Sequence, residues 1–333
     1  MTVAFYMNCV SAHQIPLARE VAALVGHENF VYVDNEEAAQ KLQTLDHVEG
    51  LRIVTKSQGG RNLAADADLV LTGLRDLDLL EARARAAKAT YYYSERWFKP
   101  IEIRIGKFGG LGLPGWVRLV VPRYRRMLKR FVAWTKNDPK ARVLAVGPWA
   151  KKDFLRMGVP AEKIVPWGYF VAPSAFPKSA RRQPASRNPL RVLWAGRRIP
   201  LKHVDDIEKA VSLANSRLAS EGLRVELTLL SNVTPAEVRQ AMRELDTFVF
   251  ASNGYEGWGA VVSEALEEGM NVLGTWECGA PPTLLPKERL FHCGDVRALA
   301  RLLEQEAQGK LPPCTIGEWT AKAAAERLMG KMS

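Results

Sequence analysis

The stretch Thr247-Phe-Val-Phe-Ala-Ser-Asn-Gly-Tyr-Glu-Gly-Trp-Gly-Ala-Val-Val-Ser-Glu264 carries the signals of a strand, a turn and a helix in that order. Thr247–Ala251 is a short apolar run of the kind found in buried strands. A glycine-rich turn follows, and a helix is predicted to begin near Gly259. A buried strand that leads directly into a helix is typical of a parallel sheet with helices on both faces.

The same alternation of strand and helix continues in both directions along the chain. The predicted strands are Val3–Met7, Phe30–Val33, Arg52–Val54, Leu69–Leu71, Thr90–Tyr93, Arg142–Val146, Lys163–Val165, Leu190–Ala195, Val225–Leu230, Thr247–Ala251, Asn271–Thr275 and Leu290–Cys293. The predicted helices are Gln14–Val25, Leu79–Lys88, Val117–Trp134, Trp149–Met157, His203–Ala219, Thr234–Leu245, Gly259–Gly269, Val296–Gln308 and Ile316–Lys331. This order predicts an α/β protein with two doubly wound domains.

Residues 173–189 contain four prolines among small and polar residues, which indicates a linker between the two domains. We expect an N-terminal domain over residues 1–172 and a C-terminal domain over residues 186–315. The closing helix over residues 316–331 is expected to pack back on the N-terminal domain. Ligands of such sheets bind at the carboxyl ends of the strands, so we expect the two domains to face a central cleft that holds the site.

The composition is that of an ordinary globular protein. The 333 residues are 47% hydrophobic and 25% charged, and no apolar run is long enough for a transmembrane helix. The start of the chain is typical of a first strand and not of a signal peptide, so we expect a cytoplasmic protein. The four cysteines are scattered, without metal-ligand spacing, which argues against a zinc site or a disulfide framework.

Two cations follow the predicted strand Leu190–Ala195. Gly196 begins the turn, and Arg197 and Lys202 come next, near the start of the following helix. A guanidinium can bind two phosphate oxygens at once, and a lysine adds a point charge. The turn is therefore a candidate diphosphate site in which fixed cations replace a metal ion. A solvated basic turn is the alternative.

Two carboxylates lie around the turn after Thr247–Ala251. Glu256 stands before the predicted helix, and Glu264 stands about one turn inside it. A carboxylate accepts hydrogen bonds from hydroxyls, so Glu256 suits a sugar and Glu264 a ribose diol. Between them, Gly257, Trp258 and Gly259 bring the backbone and the helix N-terminus close to a ligand. The alternative is that Glu256 caps the helix and Glu264 is a surface acid.

Together these motifs resemble the donor half of the retaining GT-B glycosyltransferases of family 4. The matching residues are Gly196-Arg197-x4-Lys202, Glu256-x7-Glu264 and Cys278-Gly279-Ala280-Pro281. The resemblance implies two Rossmann-like domains and a nucleotide-sugar donor. It also implies that Arg197 and Lys202 hold the diphosphate, that Glu256 lies by the transferred sugar, and that Glu264 contacts the ribose. No cofactor or metal is expected, and the anomeric configuration is expected to be retained.

The N-terminal half resembles a narrower group, the capsular and exopolysaccharide transferases of bacteria. The matching stretches are Ser11–Ala18, Tyr93–Pro100 and Trp167–Phe170. Two departures stand out. The loop Met7–His13 lacks the double glycine that is frequent in family 4, and Ser94-Glu95-Arg96 stands where many members have His-Glu-Pro. The resemblance implies a role in cell-surface polysaccharide synthesis, with a glycan or a polyprenyl-diphosphate-linked acceptor.

Several further residues are candidates with an open alternative. His13 could contact the transferred sugar or the acceptor, or it could be a capping or buried histidine. Ser94, Glu95 and Arg96 are assigned to the acceptor side, and Glu95 is either a base for the acceptor or an ion partner of Arg96. Asn232 follows the predicted strand Val225–Leu230, where it either contacts the nucleotide base or occupies a turn.

The net charge of +11 is concentrated in one segment. Residues 95–142 contain thirteen Lys and Arg against three acids. Between Arg118 and Arg130 these cations alternate with apolar residues, and Trp116 and Trp134 flank the segment. A basic amphipathic helix with flanking tryptophans suits an anionic membrane surface, for example the inner leaflet, whereas the alternative is a solvated helix.

The sequence therefore predicts a metal-independent hexosyltransferase with a nucleoside diphosphate sugar, a UDP-sugar being favoured, as donor. A sugar-nucleotide epimerase, a phosphorylase or another GT-B enzyme is the alternative. A basic nucleic-acid-binding protein is a further alternative, although no helix-turn-helix, zinc or RNA-recognition motif is present, so we expect no nucleic-acid partner.

Overall fold

The computed structural model describes residues 1–36, 48–99, 101–104, 110–113, 115–175 and 188–330. The chain divides into two compact units. Unit 1 comprises Met1–Phe170 and Thr320–Ser333, and unit 2 comprises Val171–Trp319. The predicted α/β class and the two parallel-sheet, Rossmann-like domains are confirmed.

Unit 1 is built on a seven-stranded parallel sheet with the order β3-β2-β1-β4-β5-β8-β9. Its strands are β1 (Val3–Met7), β2 (Phe30–Asp34), β3 (Ile53–Thr55), β4 (Leu69–Thr72), β5 (Ala89–Ser94), β8 (Ala141–Val146) and β9 (Ile164–Trp167). A separate antiparallel hairpin joins β6 (Ile101–Arg104) and β7 (Gly110–Leu113). Its helices are α1 (Ile15–Val25), α2 (Gly60–Asp66), α3 (Leu77–Arg85), α4 (Pro122–Asn137), α5 (Pro148–Met157) and α11 (Ala321–Leu328).

Unit 2 is built on a five-stranded parallel sheet with the order β11-β10-β12-β13-β14. Its strands are β10 (Leu190–Ala195), β11 (Val225–Leu230), β12 (Thr247–Phe250), β13 (Asn271–Thr275) and β14 (Leu290–Phe291). Its helices are α6 (Val204–Leu218), α7 (Pro235–Glu244), α8 (Ala260–Glu267), α9 (Ala280–Leu284) and α10 (Val296–Ala307). Helices α6 and α10 pack against each other and share one apolar core with β10.

The central strands read as apolar runs because both of their faces are covered. All five residues of β1 are buried, and β12 is buried along its whole length. Helices pack on each face of such a sheet, so alternation of apolar and polar residues is not required. This is why continuous apolar runs identified the strands of both units.

Several predicted elements differ in extent from those observed. The helix predicted over Val117–Trp134 is a 3-10 helix over Gly115–Val120 followed by α4, which begins at Pro122. Proline suits the first position of a helix, where no amide hydrogen is needed. The closing helix begins only at Ala321, where the Thr320 hydroxyl caps it, and the strand predicted over Leu290–Cys293 has two residues.

The start of the predicted linker is attached to unit 2. The Arg239 guanidinium donates to the Ala172 carbonyl at 2.7 Å, and the Ser174 hydroxyl donates to Glu268 at 2.7 Å. Residues 176–187 of the linker lie outside the described residues. In unit 1, α11 packs against α1, so the end of the chain belongs to the same compact unit as its beginning.

Candidate functional site

The order of the strands in unit 2 changes direction at β10. The next strand in sequence, β11, pairs on one side of β10, and β12 pairs on the other side. Loops that leave the carboxyl ends of two such strands diverge to opposite faces, and ligands bind in the crevice that opens between them. In unit 2 this position lies between the loops that follow β10 and β12.

These two loops are bonded to each other. The Asn253 amide donates to the Leu201 carbonyl at 3.0 Å, which joins the backbones directly. Beside this bond, the Lys202 ammonium donates to the Glu256 carboxylate, with Nζ 2.6 Å from Oε2. The predicted cation and carboxylate thus meet at the change in strand order.

Both side chains of this pair are largely enclosed, with exposed fractions of 18% for Lys202 and 21% for Glu256. The Lys202 ammonium also lies 5.8 Å from the centre of the Phe250 ring, so an apolar wall limits its hydration. A lysine has three N–H donors and a carboxylate has two oxygens. One donor and one oxygen are used within the pair, and the remaining ones can bind a ligand.

Arg197 and Arg198 are neighbours with different surroundings. The Arg198 guanidinium donates to Asp205 at 2.9 Å and to Glu208 at 2.7 Å, so it is engaged in an exposed ion-pair network. Arg197 is exposed, and within the part of the chain that the structure describes its side chain has no partner. Of the two, Arg197 is the one whose charge is available to an anion.

The segment Cys278–Ala280 supports the loop that carries Glu256. The Gly279 amide donates to the Gly257 carbonyl at 3.0 Å, and a Cβ on Gly279 would lie 2.8 Å from that carbonyl oxygen. The Cys278 thiol contacts the Asn253 carbonyl at 3.1 Å. Burial raises the pKa of Cys278 well above its usual range, so the thiol keeps the proton with which it donates.

At Trp258 and Gly259 only the backbone is available to a ligand, because the Trp258 ring is buried. The Trp258 ring is 1% exposed and its indole nitrogen donates to Ser263 at 3.3 Å. The prediction that Trp258 binds the donor must therefore be limited to its main chain. Gly259 has φ +91°, and its Cα is so close to the Phe250 ring that a Cβ would lie 2.5 Å from it. Among the residues that the structure describes, no side chain caps helix α8, which Gly259 precedes.

Glu264 and Asn232 occupy different settings. Glu264 is half-buried in α8, eight positions after Glu256. Asn232 is exposed after β11 and has φ +58°, a left-handed conformation that asparagine adopts more readily than most residues. The backbone of Asn232 thus has the geometry of a turn residue. This was the alternative to a role in binding the nucleotide base.

Unit 1 has a second change of strand order, between β1 and β4. A cavity of about 600 Å³ lies at the carboxyl ends of β1, β4 and β5. The predicted acceptor-side residues Ser94, Glu95 and Arg96 all line it, together with Met7, Asn8, Gln14, Gly73, Leu74, Arg75, Tyr93, Trp97, Lys99 and Tyr169.

The partners of Glu95 differ from the sequence expectation. Glu95 forms its ion pair with Lys99 and not with Arg96, and it also accepts a hydrogen bond from the Tyr169 hydroxyl at 2.7 Å. His13 is exposed and stacks on Tyr169, with the ring centres 5.6 Å apart. His13 is therefore neither buried nor a helix cap. Its stacking partner Tyr169 lines the cavity, so His13 lies next to it.

Arg96 pairs with a different acid. Its Nε lies 3.9 Å from Asp153, and its guanidinium lies over the Trp149 ring at 5.6 Å. Arg75, which was not among the predicted site residues, also lines the cavity, and its guanidinium lies 4.6 Å from the centre of the Trp97 ring. Arg75 follows an apolar strand and a glycine, the same signal that selected Arg197, so it could have been found in the same way.

The basic helix α4 has one buried side and one cationic side. Leu128, Phe131 and Trp134 are buried in the core of unit 1, so Trp134 is not the membrane-facing tryptophan expected from the sequence. Arg123, Arg125 and Arg126 are exposed, and just before them Val120 and Val121 are 73% and 49% exposed. Residues 105–109 of the basic segment lie outside the described residues.

Among the described residues, no group of His, Cys, Asp and Glu is arranged to hold a metal ion. Within the same described ranges, no helix combines the length and the apolar character needed to cross a bilayer.

Comparisons with known proteins agree on the fold. Residues 174–310, less than half of the chain, match the family model "Glycosyl transferases group 1". No curated protein matches the sequence. Many solved structures resemble the whole chain at low identity, and such a likeness concerns the fold alone.

Three of these structures illustrate the range. The lipopolysaccharide outer core galactosyltransferase WaaB has 14% identity and a TM-score of 0.62, with both chains covered completely. A UDP-forming trehalose-phosphate synthase from Burkholderia xenovorans has 12% identity and a TM-score of 0.58, with 100% of this chain and 95% of that chain covered. HepE of Anabaena, solved with UDP, has 16% identity and a TM-score of 0.55, with 98% and 95% covered.

The Lys202–Glu256 pair and its two loops lie inside the segment matched by the family model. The fold of the full chain, two parallel-sheet Rossmann-like domains, is that of GT-B glycosyltransferase structures. Residues 174–310 of this protein thus match the group 1 glycosyl transferases, and the chain as a whole has the GT-B fold.

Proposed function

We propose that the protein is a glycosyltransferase that moves a hexose from a nucleoside diphosphate donor, preferably a UDP-sugar, to a glycan or lipid-linked acceptor. The observation that carries the proposal is the Lys202–Glu256 pair at the change in strand order of unit 2. The match of residues 174–310 to glycosyl transferases supports it. The preference for uridine is supported by HepE structures with UDP and with UDP-glucose.

In this proposal the cations act on the diphosphate. As the bond between the sugar and the diphosphate breaks, its electron pair moves to the phosphate oxygen. Arg197 and the unused donors of Lys202 stabilise the charge that grows there. Two fixed positive charges can supply what a divalent cation supplies in other enzymes, so we propose that no metal is needed.

The carboxylates orient the sugar and the ribose. Glu256 is held by Lys202, which leaves its second oxygen to accept a hydrogen bond from a sugar hydroxyl. A carboxylate that is bound to a cation is a weak nucleophile, which favours direct transfer over a covalent sugar–enzyme intermediate. We therefore propose retention by attack from the face that the phosphate leaves, with the acceptor proton passing to the departing phosphate. Glu264 is assigned to the ribose.

We place the acceptor in the 600 Å³ cavity of unit 1, where Ser94, Glu95, Arg96 and His13 are near. The polar lining suits the hydroxyls of a glycan. The exposed valines and arginines at the start of α4 suit a membrane with anionic lipids, because apolar insertion and charge attraction add. A cytoplasmic enzyme at the inner leaflet that builds cell-surface polysaccharide is consistent with both features.

A binding screen tests the donor assignment. Thermal unfolding is followed with UDP, GDP, UDP-glucose and UDP-galactose in the presence of a chelator. A ligand that binds the native state raises the midpoint in proportion to the logarithm of its excess over Kd. We expect a rise with UDP and UDP-sugars that is lost in Lys202→Ala and kept in Lys209→Ala, an exposed lysine of α6.

Transfer is then tested with the donor that binds best. Release of UDP that depends on an added glycan or lipid-linked sugar supports the proposal. Conversion of the donor sugar without any acceptor would identify an epimerase instead. Equal binding by Lys202→Ala and wild type would reject the site.

A further inference from the structure

A second, larger cavity lies in unit 1 outside the proposed acceptor site. Its volume is about 930 Å³, and it lies between α4, α5 and the 3-10 helix over Gly115–Val120. Leu119, Leu128, Val132 and Met157 form an apolar wall. Cavities of this size and apolar character are those that proteins use for small organic ligands.

Cations surround this apolar wall. Arg96, Lys129, Lys136 and Arg156 line the cavity, and among the described residues that line it Asp153 is the one acid. The Asp153 carboxylate is 2% exposed and already accepts a hydrogen bond from the Phe98 amide at 3.0 Å. The cavity therefore combines a hydrocarbon surface with an excess of positive charge.

Arg96 connects this cavity to the proposed acceptor site. It lines the 930 Å³ cavity and the 600 Å³ cavity at the ends of β4 and β5. Its Nε is buried and makes no hydrogen bond in the part of the chain that the structure describes. Its charge is partly balanced by Asp153 at 3.9 Å and rests on the Trp149 ring. A guanidinium in this position can hold an anionic group between an apolar space and a polar one.

We propose that the cavity between α4 and α5 binds the hydrocarbon chain of a lipid phosphate, with the phosphate at Arg96 and the rest of the acceptor in the 600 Å³ cavity. The inference rests on the proposed function, because it identifies the lipid end of the acceptor. The charge complementarity selects an anionic head group, and the apolar wall selects an alkyl or isoprenyl chain. A neutral glycan would leave both features unused.

Soluble single-chain probes test this assignment. Decyl phosphate, decyl glucoside and inorganic phosphate are titrated separately below their micelle concentrations, and the heat of binding is measured. The decyl phosphate should bind about tenfold or more tightly than either probe that lacks one of its two parts, since chain and charge both contribute. Equal affinity of decyl glucoside and decyl phosphate would overturn the role of Arg96.

A substitution that fills the apolar part of the cavity tests whether the hydrocarbon chain binds there. Ala133 is an exposed residue of α4 that lines the cavity, so Ala133→Trp fills the space without disturbing the core. It should weaken decyl phosphate binding about tenfold or more. Ala82→Trp places the same side chain on the exposed face of α3, outside the cavity, and should bind as the wild type does. Unchanged binding by Ala133→Trp would overturn the proposal.

Arg96→Gln should reduce the preference for decyl phosphate over decyl glucoside about tenfold, whereas Arg125→Gln, an exposed arginine of α4 that lines neither cavity, should keep it. UDP binding is measured on the same variants. Lys202→Ala should lose UDP binding and keep decyl phosphate binding. This result would show that the donor site and the lipid cavity are independent of each other. Absence of UDP binding in the wild type would defeat the proposed function alone.

Binding to vesicles of phosphatidylglycerol distinguishes an acceptor lipid from a membrane phospholipid as the occupant of the cavity. The exposed residues of α4 should bind such vesicles whether or not the cavity is filled. Ala133→Trp is therefore expected to bind vesicles as the wild type does. Parallel loss of vesicle binding and decyl phosphate binding would show that the cavity holds a membrane phospholipid and would overturn its assignment to the acceptor.

Discussion

The Lys202 ammonium lies 2.6 Å from the Glu256 carboxylate, although 54 positions separate the two residues in the sequence. The contact exists because β10 and β12 are adjacent strands and the loops at their carboxyl ends share a backbone hydrogen bond. In the proposed function one residue of the pair contacts a phosphate and the other a sugar. The sheet sets the distance between the two side chains, because their loops leave neighbouring strands.

A double-mutant cycle measures whether the pair acts as a unit. Lys202→Ala, Glu256→Gln and the double variant are compared by UDP-sugar affinity. Residues in direct contact usually couple by about 0.5–3 kcal/mol, and we expect a value in this range because removal of either partner frees the other. The exposed pair Arg224 and Glu226 serves as the control and should show no coupling in donor affinity. Strict additivity at positions 202 and 256 would contradict the arrangement.

Arg197 should contribute to turnover without contributing to stability. Its side chain is exposed, so Arg197→Ala should unfold at the wild-type temperature. Loss of one oriented donor at a developing charge costs about 10²–10³ in turnover. The rate of UDP release under saturating donor measures this loss. Arg198→Ala is the matched control, because Arg198 is occupied by Asp205 and Glu208, and its rate should stay near that of the wild type.

Gly259 should tolerate no side chain. Alanine at φ +91° costs about 1–2 kcal/mol, and its Cβ would also lie 2.5 Å from the Phe250 ring, which adds about 1–3 kcal/mol of overpacking. Urea unfolding of Gly259→Ala measures the sum. Gly294→Ala isolates the backbone part, because Gly294 has φ +83° and open space around it. Equal destabilisation by the two substitutions would show that the Phe250 ring moves aside and would contradict the overpacking part of the prediction.

Asp153 should make stability depend on acid pH. Burial raises the pKa of this carboxyl above its ordinary value of 3.8. As pH rises past 3.8, the carboxyl ionises in the unfolded chain before it ionises in the native protein, so the native state loses relative stability until its own pKa is passed. Compared with Asp153→Asn, the wild type should thus be relatively more stable at pH 3.5 than at pH 7. Denaturant unfolding at both pH values gives the difference, and a pH-independent difference would refute the shift.

Much of the secondary structure could be predicted because it follows from local patterns. The strands Leu190–Ala195, Val225–Leu230 and Asn271–Thr275 have the same ends in the sequence prediction and in the structure. The short helix α2 and the hairpin of β6 and β7 were not predicted. Neither element has a long apolar periodicity in its sequence. In α2 the first residue is Gly60, because a Cβ there would collide with Val33 and the Thr55 carbonyl, and this requirement comes from tertiary packing.

The structure brings together Lys202 and Glu256, two residues that their charge had selected, but burial could not be read from the local sequence. Arg197, Lys202 and Glu256 follow the ends of apolar strands, and their residue types indicated a phosphate and a sugar. Trp258 stands in the same turn, yet its side chain lies in the core. Glu95 follows strand β5 and precedes Arg96, but it pairs with Lys99, four positions further along the chain. Adjacent residues point in different directions, and the local sequence does not reveal which direction.

The sequence by itself determined the alternation of strands and helices, the residue types at the ends of the strands and the concentration of positive charge before residue 142. These properties depend on side chains within a few positions of one another. Only the tertiary structure decided that β10 lies between β11 and β12, that Lys202 meets Glu256, and that Arg96 lines two cavities. The physical reason is that strand order and cavity walls arise from packing between distant segments, and that packing is a property of the whole core.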